Sequence, residues 1–403
     1  MALRLTGILL QGGIPSTFSH IISVMCGNKM IFVFYLAYEI KLENKQQLSF
    51  KNFNCLPSSS NTNSSSKEDV DYDELEKALM GASKGNNKTM IIAMVNKAYV
   101  EGENKTMLDL FLESFWLGEG TYYLLDRLLL VAVDPIAMDR CKFLRLHCYE
   151  LVVEGVDFGA EQFFMSKGFL KLMWSRTRFL ADVLKRGYNF IFTCESHPRY
   201  IACTSKRDVR FDNGVLMYVV IDDTDVMWLR DPFPMITSPN RTNVDIQFSC
   251  DWFNGNPWKE SKAINTGFYF VRSNNKTVSL FETWHAMKDN SNYTKMKEQD
   301  VLVSLLGNGL FTQLGLKTRF LETQYFSGFC QDSKDFSSVI TVHANCCVSI
   351  RAKAIDLVVV LRDWKNFKTT INVGIKDGVA KNSSINEGTV QNICWSKHAA
   401  CRQ

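Results

Sequence analysis

The sequence predicts an α/β fold in which a mostly parallel sheet is flanked by helices. Short apolar segments of strand length alternate with segments whose apolar residues recur at helical spacing. This alternation is typical of a parallel sheet with covering helices. The chain has 403 residues, of which 46% are hydrophobic, so its length and composition suffice for a large core.

The predicted elements follow one another from Met90 onward. In order they are a strand at Met90–Val95, a helix at Met107–Phe115, a strand at Leu128–Val133, a helix at Phe163–Lys185 and a strand at Phe190–Thr193. The longer helix has an apolar face and ends at an Arg-Gly pair, a typical C-terminal stop signal. Ligands of such sheets bind at the carboxyl ends of the strands, so functional side chains are expected there.

Composition divides the chain into four regions. They are an N-terminal region at 1–47, a Ser/Asn-rich stem at 48–87, the folded domain at 88–367 and a polar tail at 368–403. The stem is expected to be flexible because its composition cannot bury a core, and the polar tail is expected to be poorly ordered.

The N-terminal region contains a weak candidate for a membrane anchor. Ile21–Met25 and Met30–Tyr38 are apolar, but Asn28 and Lys29 interrupt them. A membrane-spanning helix needs about 20 mostly apolar residues, and this stretch reaches that length only by including the interruption. A signal-anchor is the preferred interpretation; an uncleaved signal peptide and a misassigned start are the alternatives.

Cysteines and glycosylation sequons favour a lumenal compartment. The twelve cysteines include no Cys-x-x-Cys pair, so a mixture of buried thiols and disulfides is expected rather than a zinc module. Asn-x-Ser/Thr sequons begin at Asn63, Asn87, Asn104, Asn240, Asn275, Asn292 and Asn382. Disulfides and N-glycans form in the secretory pathway, so the combination favours its lumen over the cytosol.

The charge distribution does not indicate a nucleic-acid partner. The formal net charge is +4, and Lys and Arg are spread along the chain without dense runs. A nucleic-acid-binding surface would need a concentrated basic patch. The mild basicity is compatible with small anionic ligands such as nucleotide diphosphates.

An apolar strand runs directly into three aspartates, Asp222, Asp223 and Asp225. Carboxylates at the end of a buried strand repel one another and lose solvation unless a cation is present. The Asp-x-Asp spacing lets two carboxylates bind one divalent ion that keeps positions open for diphosphate oxygens. A solvated acidic turn is the alternative, but the apolar segments on both sides favour a rigid site.

A specific set of motifs extends from about Thr89 to Phe367. The motifs are DLFLESFWLGEG (109–120), LLLVAVD (128–134), RLHCYE (145–150), LKRGYNFIFT (184–193), TDVMWLRDPF (224–233), NTGFYFVRSNNKT (265–277), MKEQDVL (296–302), FSGFCQDS (326–333) and VHANCC (342–347). Together they resemble the plant nucleotide-diphospho-sugar transferase family, which includes cell-wall xylosyl- and arabinosyltransferases.

This resemblance implies a GT-A-type fold and a metal-assisted, retaining glycosyltransferase. The expected donor is a nucleotide sugar, a UDP-pentose or a UDP-hexose, and the expected acceptor is a cell-wall polysaccharide or a glycoprotein. The resemblance further implies Mn²⁺, or Mg²⁺, as the cofactor. It also implies a Golgi membrane protein, single-pass type II, with a lumenal catalytic domain at 88–367.

The resemblance assigns three metal ligands. Asp223 and Asp225 match the metal-binding Asp-x-Asp pair, and His343 matches a third ligand from far along the chain. The metal would stabilise the departing diphosphate as a Lewis acid. Without the resemblance, His343 is better interpreted as a packed strand histidine.

Three further residues match positions that hold the nucleoside and the diphosphate. Asn96 and Asp134 follow predicted strands where such folds bind the nucleoside, and Arg176 lies on the long helix within reach of the diphosphate. The alternatives are strand-end caps for the first two residues and a solvated helix arginine for the third.

Four residues are assigned to the sugar and its surroundings. Thr224 lies between the two metal-binding aspartates, and Asn265 and Gly267 match a sugar-contacting turn. Asp300 matches an acidic residue near the anomeric carbon, where a carboxylate stabilises oxocarbenium character. A plain turn glycine and an acidic residue in the first turn of a helix are the alternatives for Gly267 and Asp300.

The chain departs from the family pattern at an insertion, Cys194–Asp222, between a predicted strand and the Asp-x-Asp pair. One interpretation is a looped-out segment in which Val215–Ile221 replaces Phe190–Phe192 in the sheet. The preferred one is a sequence artefact such as a translated intron, because removing 194–222 joins the two family motifs without loss.

Two other functions remain as alternatives. The first is a catalytically inactive Golgi scaffold or partner protein whose site the insertion has disrupted. The second, ranked lower, is a haloacid-dehalogenase-type phosphatase, which also places Asp-x-Asp after an apolar strand. The phosphatase would need Thr or Val two residues after the second aspartate, where this chain has Met227.

Overall fold

A computed structural model describes residues 72–83, 88–102, 105–153, 155, 166–193, 224–238, 243–261, 263–293, 296–347, 349–376 and 398–401, with the backbone of two N-terminal strands. The chain divides into two units, Met1–Val70 and Asp71–Gln403. The whole predicted insertion, 194–222, and Asp223 lie outside the described residues. The strands predicted at Met90–Val95, Leu128–Val133 and Phe190–Thr193 lie in the described part of the second unit. The two predicted helices overlap that described part.

The first unit contains a β-hairpin where the membrane anchor is predicted. Strand β1 (Ile21–Cys26) pairs antiparallel with β2 (Lys29–Phe34), with Ile21 opposite Phe34. The two apolar segments therefore form strands here rather than one helix. Within the described part of the chain, no helix is both long enough and apolar enough to cross a membrane. The anchor stays a prediction.

The second unit contains ten strands and ten α-helices in its described part. The strands are β3 (Thr89–Val95), β4 (Leu128–Ala132), β5 (His147–Glu150), β6 (Asn189–Thr193), β7 (Val226–Trp228), β8 (Ile246–Cys250), β9 (Ile264–Val271), β10 (Thr318–Phe320), β11 (Phe326–Gly328) and β12 (Thr341–His343). The helices are α1 (Glu74–Ala82), α2 (Lys97–Val100), α3 (Met107–Leu117), α4 (Pro135–Phe143), α5 (Lys167–Lys185), α6 (Phe233–Ile236), α7 (Asn275–Ala286), α8 (Glu298–Gly307), α9 (Leu310–Gln313) and α10 (Ile350–Lys376).

A seven-stranded sheet forms the centre of this unit, in the order β10-β8-β9-β6-β3-β4-β5. Strand β9 is antiparallel to both neighbours, and all other neighbouring strands are parallel. A second sheet of three strands has the order β11-β12-β7. The predicted α/β class, with a mostly parallel sheet flanked by helices, is confirmed.

The two faces of the large sheet bury separate apolar layers. Ile92 of β3 packs in the layer that includes α1, α5, α7 and α8. Its neighbour Ile91 packs in the opposite layer, with α3, α10 and the three-stranded sheet. Because successive side chains of a strand point to opposite faces, a strand covered on both sides is apolar throughout. This explains the uninterrupted apolar run of β3.

Helix α5 confirms the long predicted helix and shows what sets its ends. The Ser166 side chain accepts a hydrogen bond from the Phe169 amide, so the helix begins at Lys167 rather than at the predicted Phe163. Residues 163–165 lie outside the description. The helix ends at Arg186, and Gly187 follows with a φ of +83° that favours glycine.

Helix α1 belongs to the folded unit, although its residues fall within the predicted stem, 48–87. Leu75 and Leu79 lie one turn apart and are buried in the core. Asp73 caps the helix and also accepts hydrogen bonds from Arg186 at the end of α5. The stem prediction is therefore too long at its C-terminal end, because three apolar residues suffice to dock a short helix.

The polar tail predicted at 368–403 is also partly ordered. Helix α10 continues to Lys376. Near the C-terminus, Cys401 forms a disulfide with Cys347, and its amide donates a hydrogen bond to Asp356 of α10. The His398 ring stacks on Phe329 at a centroid distance of 3.6 Å. A disulfide and buried contacts thus fix a segment whose composition alone predicts disorder.

The expected mixture of disulfides and buried thiols is confirmed. Among the described residues, the disulfides are Cys141–Cys148, Cys330–Cys346 and Cys347–Cys401, and Cys250 is a buried free thiol. Two of these disulfides involve the adjacent residues Cys346 and Cys347, shortly after His343. They therefore fix the turn after β12, where several of the candidate site residues lie.

The structure retains Asn189–Thr193 in the sheet as β6, between β3 and β9. The interpretation in which Val215–Ile221 replaces Phe190–Phe192 is therefore not what is observed. Residues 194–223 lie outside the description, and the next described segment begins at Thr224 and leads into β7. Thr193 thus ends a strand of the large sheet, and β7, the next described strand, belongs to the small sheet.

Candidate functional site

Two predicted nucleoside-binding residues lie at the carboxyl edge of the large sheet. Asn96 follows β3, and Asp134 follows the adjacent parallel strand β4. Asn96 caps α2, and Asp134 caps α4 while its other oxygen accepts from the Lys97 amide at 2.6 Å. Both side chains therefore cap the helices that follow them. This is the alternative role that the sequence analysis gave for each residue. Their role in nucleoside binding stays a prediction.

Asp225 precedes β7 and forms a buried ion pair with Lys353 of α10. The carboxylate is fully buried, and its Oδ2 accepts from Lys353 Nζ at 2.9 Å. Burial alone would raise the pKa of Asp225, but the nearby charges of Lys353 and His343 hold that pKa well below its usual range. Asp225 is therefore a carboxylate anion at neutral pH.

His343 ends β12 directly beside Asp225. Strand β12 pairs antiparallel with β7 so that His343 lies opposite Val226, and the Ala344 amide donates to the Asp225 carbonyl. This pairing brings His343 Nε2 to 3.2 Å from Asp225 Oδ1. The two buried atoms thus contact each other, and within the described part of the chain neither has a further hydrogen-bond partner.

This pair of atoms fits a divalent cation. Two ligands at adjacent corners of an octahedral ion with bonds of about 2.1 Å lie about 3 Å apart. Carboxylate oxygen and imidazole nitrogen are both suitable ligands for first-row divalent metals. No cluster of three His, Cys, Asp or Glu side chains occurs among the described residues, and Asp223, the other predicted ligand, lies outside them. The metal-binding role of Asp223, Asp225 and His343 stays a prediction.

A second polar cluster surrounds Asp251 at the end of β8. Asp251 Oδ1 accepts from Asn265 Nδ2 at 2.6 Å and from Asn345 Nδ2 at 2.9 Å. Burial raises the pKa of Asp251, and these two hydrogen bonds act in the opposite direction. Because Asn345 lies two residues after His343, this cluster is continuous with the Asp225 pair.

The Asn265 side chain contacts both Asp251 and the backbone at the start of β9. Its Oδ1 accepts from the Gly267 amide at 2.7 Å, so both ends of the buried side-chain amide are used. Thr224 is also buried, and its hydroxyl has no hydrogen-bond partner in the described part of the chain. Contact of the Thr224 hydroxyl with the donor stays a prediction.

The start of α8 packs against β9 through Thr266. The Gln299 side chain accepts from both the amide and the hydroxyl of Thr266, at 3.1 and 2.9 Å. Asp300 follows Gln299 in the first turn of α8 and is partly exposed. The arrangement places Asp300 next to the strand that carries Asn265, whereas its contact with a sugar stays a prediction.

Arg176 lies in a buried ion pair rather than at an open surface. Its guanidinium contacts Glu298 Oε1 of α8 at 2.6 Å, and both side chains are 4% exposed. The guanidinium also lies over the Phe192 ring, 5.3 Å from its centroid. Arg176 therefore links α5, α8 and β6. The alternative of a solvated helix arginine is wrong, and a diphosphate contact stays a prediction.

Sequence analysis did not identify Asp251, Asn345 or Lys353. Asp251 directly follows β8, but the β8 sequence IQFSC alternates apolar and polar residues and is a weaker signal than the apolar run before Asp222. Asn345 lies within the VHANCC motif. Lys353 had no local signal, because its partner Asp225 is 128 residues away along the chain.

The family model of nucleotide-diphospho-sugar transferases matches residues 123–194 and 217–357, more than half of the chain. The chain belongs to the nucleotide-diphospho-sugar transferase family. Its match includes β7, β8, β9 and β12, which carry the Asp225 and Asp251 clusters. The match skips residues 195–216, which lie within the predicted insertion.

Related proteins occur in Arabidopsis thaliana. One uncharacterized protein is 54% identical over 74% of this chain and 80% of its own length. A second uncharacterized protein is 36% identical over 70% of this chain and 65% of its own length. The beta-arabinofuranosyltransferase RAY1 is 26% identical over 30% of this chain and 17% of its own length. These matches support the family relationship.

Among solved structures, the glycosyltransferase GlyE of Streptococcus pneumoniae is 10% identical to this chain. The alignment covers 70% of this chain and 64% of GlyE with a TM-score of 0.36. A likeness at this level carries no argument about the site. The α/β fold of the transferase family therefore rests here on the observed sheet and on the family match.

Proposed function

We propose that this protein transfers a sugar from a nucleotide-sugar donor to a saccharide acceptor with the help of a divalent cation. The observation that supports this most directly is the buried pair of Asp225 Oδ1 and His343 Nε2, which lie 3.2 Å apart and have no further hydrogen-bond partner among the described residues. Lys353 occupies the other oxygen of Asp225, so Oδ1 and Nε2 are the two atoms that a divalent cation would take as ligands. In a nucleotide-diphospho-sugar transferase, that cation would contact the donor diphosphate.

Asp225 and His343 would hold the cation, Mn²⁺ or Mg²⁺, with Asp223 as a further ligand. When bound, the cation supplies Lewis-acid stabilisation of the departing diphosphate. The Lys353 ammonium is paired with Asp225 and adds positive charge beside the Asp225–His343 pair. This charge favours binding of an anionic diphosphate in a site from which water is largely excluded.

The Asp251 cluster would orient the sugar. Asp251 is held by Asn265 and Asn345, so its carboxylate has a fixed direction and remaining acceptor capacity for sugar hydroxyls. Asp300, on the adjacent turn of α8, would stabilise positive charge at the anomeric carbon. Retention of configuration, the identity of the sugar, and residence in the Golgi membrane belong to the proposal as well.

Family membership leaves the phosphatase alternative without support. The inactive-scaffold alternative differs from the proposal only in catalysis, because the insertion separates β6 from the Asp-x-Asp pair. Activity of the chain with its insertion therefore has to be compared with activity of a version that lacks residues 194–222.

Release of nucleotide diphosphate from sugar donors tests the proposed function. We expect one UDP-pentose or UDP-hexose to be slowly hydrolysed by the full chain with Mn²⁺, and the release of UDP to stop when EDTA removes the metal. A panel of UDP- and GDP-sugars should be assayed on the full chain and on the version lacking 194–222. Release of the nucleotide by the shortened version alone would show that the insertion inactivates the full chain. Release of nucleotide by neither version would refute catalysis.

A further inference from the structure

A loop with two exposed tryptophans extends from the Asp251 cluster. The loop connects β8 to β9, and both of its ends lie in the cluster, since Asp251 begins the loop and bonds to Asn265 at its end. The Asp251 amide also donates to the Ala263 carbonyl, which closes the loop at its base. The loop therefore projects from the rim of the candidate site.

Hydrogen bonds along the loop fix its backbone. The Asn254 side chain accepts from the Asn256 amide, and the Asn256 side chain accepts from the Trp258 amide. The Pro257 carbonyl accepts from the Phe320 amide of β10, and the Phe253 amide donates to the Gln331 side chain at 2.7 Å. The loop is thus tied to two neighbouring segments as well as closed at its base.

The two indoles of this fixed loop face solvent. Trp252 is 49% exposed and Trp258 is 60% exposed. Single exposed apolar side chains are ordinary, but two exposed tryptophans within seven residues of one fixed loop mark that loop as an interaction surface. An indole presents a large flat face with negative charge density, which suits the C–H groups on the apolar face of a sugar ring.

The charge of the loop indicates a neutral ligand. By sequence, residues 251–263 include two acidic residues, Asp251 and Glu260, and two basic ones, Lys259 and Lys262, so their charges cancel. Asn254 and Asn256 add polar amides. Such a surface offers no excess of cations for an acidic polymer. Flat aromatic faces beside neutral polar groups match an uncharged carbohydrate chain.

We infer that Trp252 and Trp258 form an acceptor subsite for a neutral oligosaccharide or polysaccharide. This inference rests on the proposed function, since it names the acceptor of that transfer. Rings of the acceptor stack on the indoles, and the chain is thereby held at the rim next to Asp251. Donor recognition takes place separately, at the Asp225 pair.

Binding of defined oligosaccharides to the full chain tests the subsite. Hexasaccharides of β-1,4-glucan, xylan and arabinan serve as neutral probes, and an oligogalacturonate of the same length serves as the acidic comparison. Binding is followed by calorimetry, on the unaltered chain and on Trp252→Ala and Trp258→Ala. We expect at least one neutral probe to bind, the acidic one to bind more weakly, and each variant to lose about tenfold in affinity.

Matched variants make the result specific. Trp116 is 64% exposed on α3 and packs on Tyr122 outside this loop, so Trp116→Ala should bind the probe with unchanged affinity. Trp258→Phe should recover much of the affinity because it keeps an aromatic face. Melting temperatures establish that each variant is folded.

Three outcomes overturn the subsite. They are no binding of any neutral probe, binding that neither alanine variant weakens, and stronger binding of the acidic probe than of the neutral ones. A parallel titration of the unaltered chain with UDP and Mn²⁺ separates the two proposals. Nucleotide binding without oligosaccharide binding would refute the subsite alone, whereas oligosaccharide binding without nucleotide binding would count against the proposed transfer.

Discussion

Removing the charge of Asp225 is expected to abolish Mn²⁺-dependent nucleotide binding. Asp225→Asn alone would break the buried pair with the Lys353 ammonium, and breaking a buried pair in this way costs about 3–5 kcal/mol. The informative variant is therefore the double substitution Asp225→Asn/Lys353→Met, which removes both charges with little change in volume. We expect this variant to fold with nearly unaltered stability and to bind no nucleotide in response to Mn²⁺.

Calorimetric titration with UDP, GDP and ADP in Mn²⁺ measures this effect, and Asp231→Asn is its matched control. Asp231 lies in the same TDVMWLRDPF motif, but its carboxylate accepts from the Phe233 amide and from the Tyr123 hydroxyl. The control should bind nucleotide as the unaltered chain does. Mn²⁺-dependent binding that persists in a folded double variant would remove Asp225 from the metal site.

Replacing Arg176 by Met is expected to destabilise the fold strongly. The substitution leaves the Glu298 carboxylate buried and without its guanidinium, which costs about 3–5 kcal/mol in the free energy of unfolding. Adding Glu298→Gln removes the uncompensated charge, so the double variant Arg176→Met/Glu298→Gln should recover most of the loss. Urea unfolding, followed by tryptophan fluorescence, measures both changes.

Arg178→Met is the matched control for this prediction. Arg178 lies on the same helix, two residues on, and its side chain is 55% exposed in a pair with Asp182. Exposed pairs of this kind contribute only about 0–1 kcal/mol, so the control should unfold nearly as the unaltered chain does. A stable Arg176→Met variant that has lost nucleotide binding would instead assign Arg176 to the diphosphate.

Much of the central sheet could be predicted from the sequence because its signals are local. Strands β3, β4 and β6 are covered on both faces and therefore appear as uninterrupted apolar runs. Helix α5 has helical spacing and a clear stop signal, and only its start differed. By contrast, α1 buries three residues of nine, which is too weak a signal against a Ser/Asn-rich background.

The candidate site was predictable only in part, because it is assembled from distant segments. Asp225 followed from an apolar strand, but its proximity to His343 depends on the pairing of β7 with β12. Lys353 reaches Asp225 from α10, and no spacing rule links residues 128 positions apart. Asp251 had only a weak local signal, because the strand before it, IQFSC, alternates apolar and polar residues.

The measurement that tests the account most directly is the thermal unfolding of the full chain with UDP, GDP or ADP, each with and without Mn²⁺. A nucleotide at 100 times its dissociation constant stabilises the folded state by about 2.7 kcal/mol, which raises the melting temperature by a few degrees. The account predicts such a rise with at least one nucleotide diphosphate, and only when Mn²⁺ is present. An equal rise in EDTA, or no rise with any nucleotide, would contradict it.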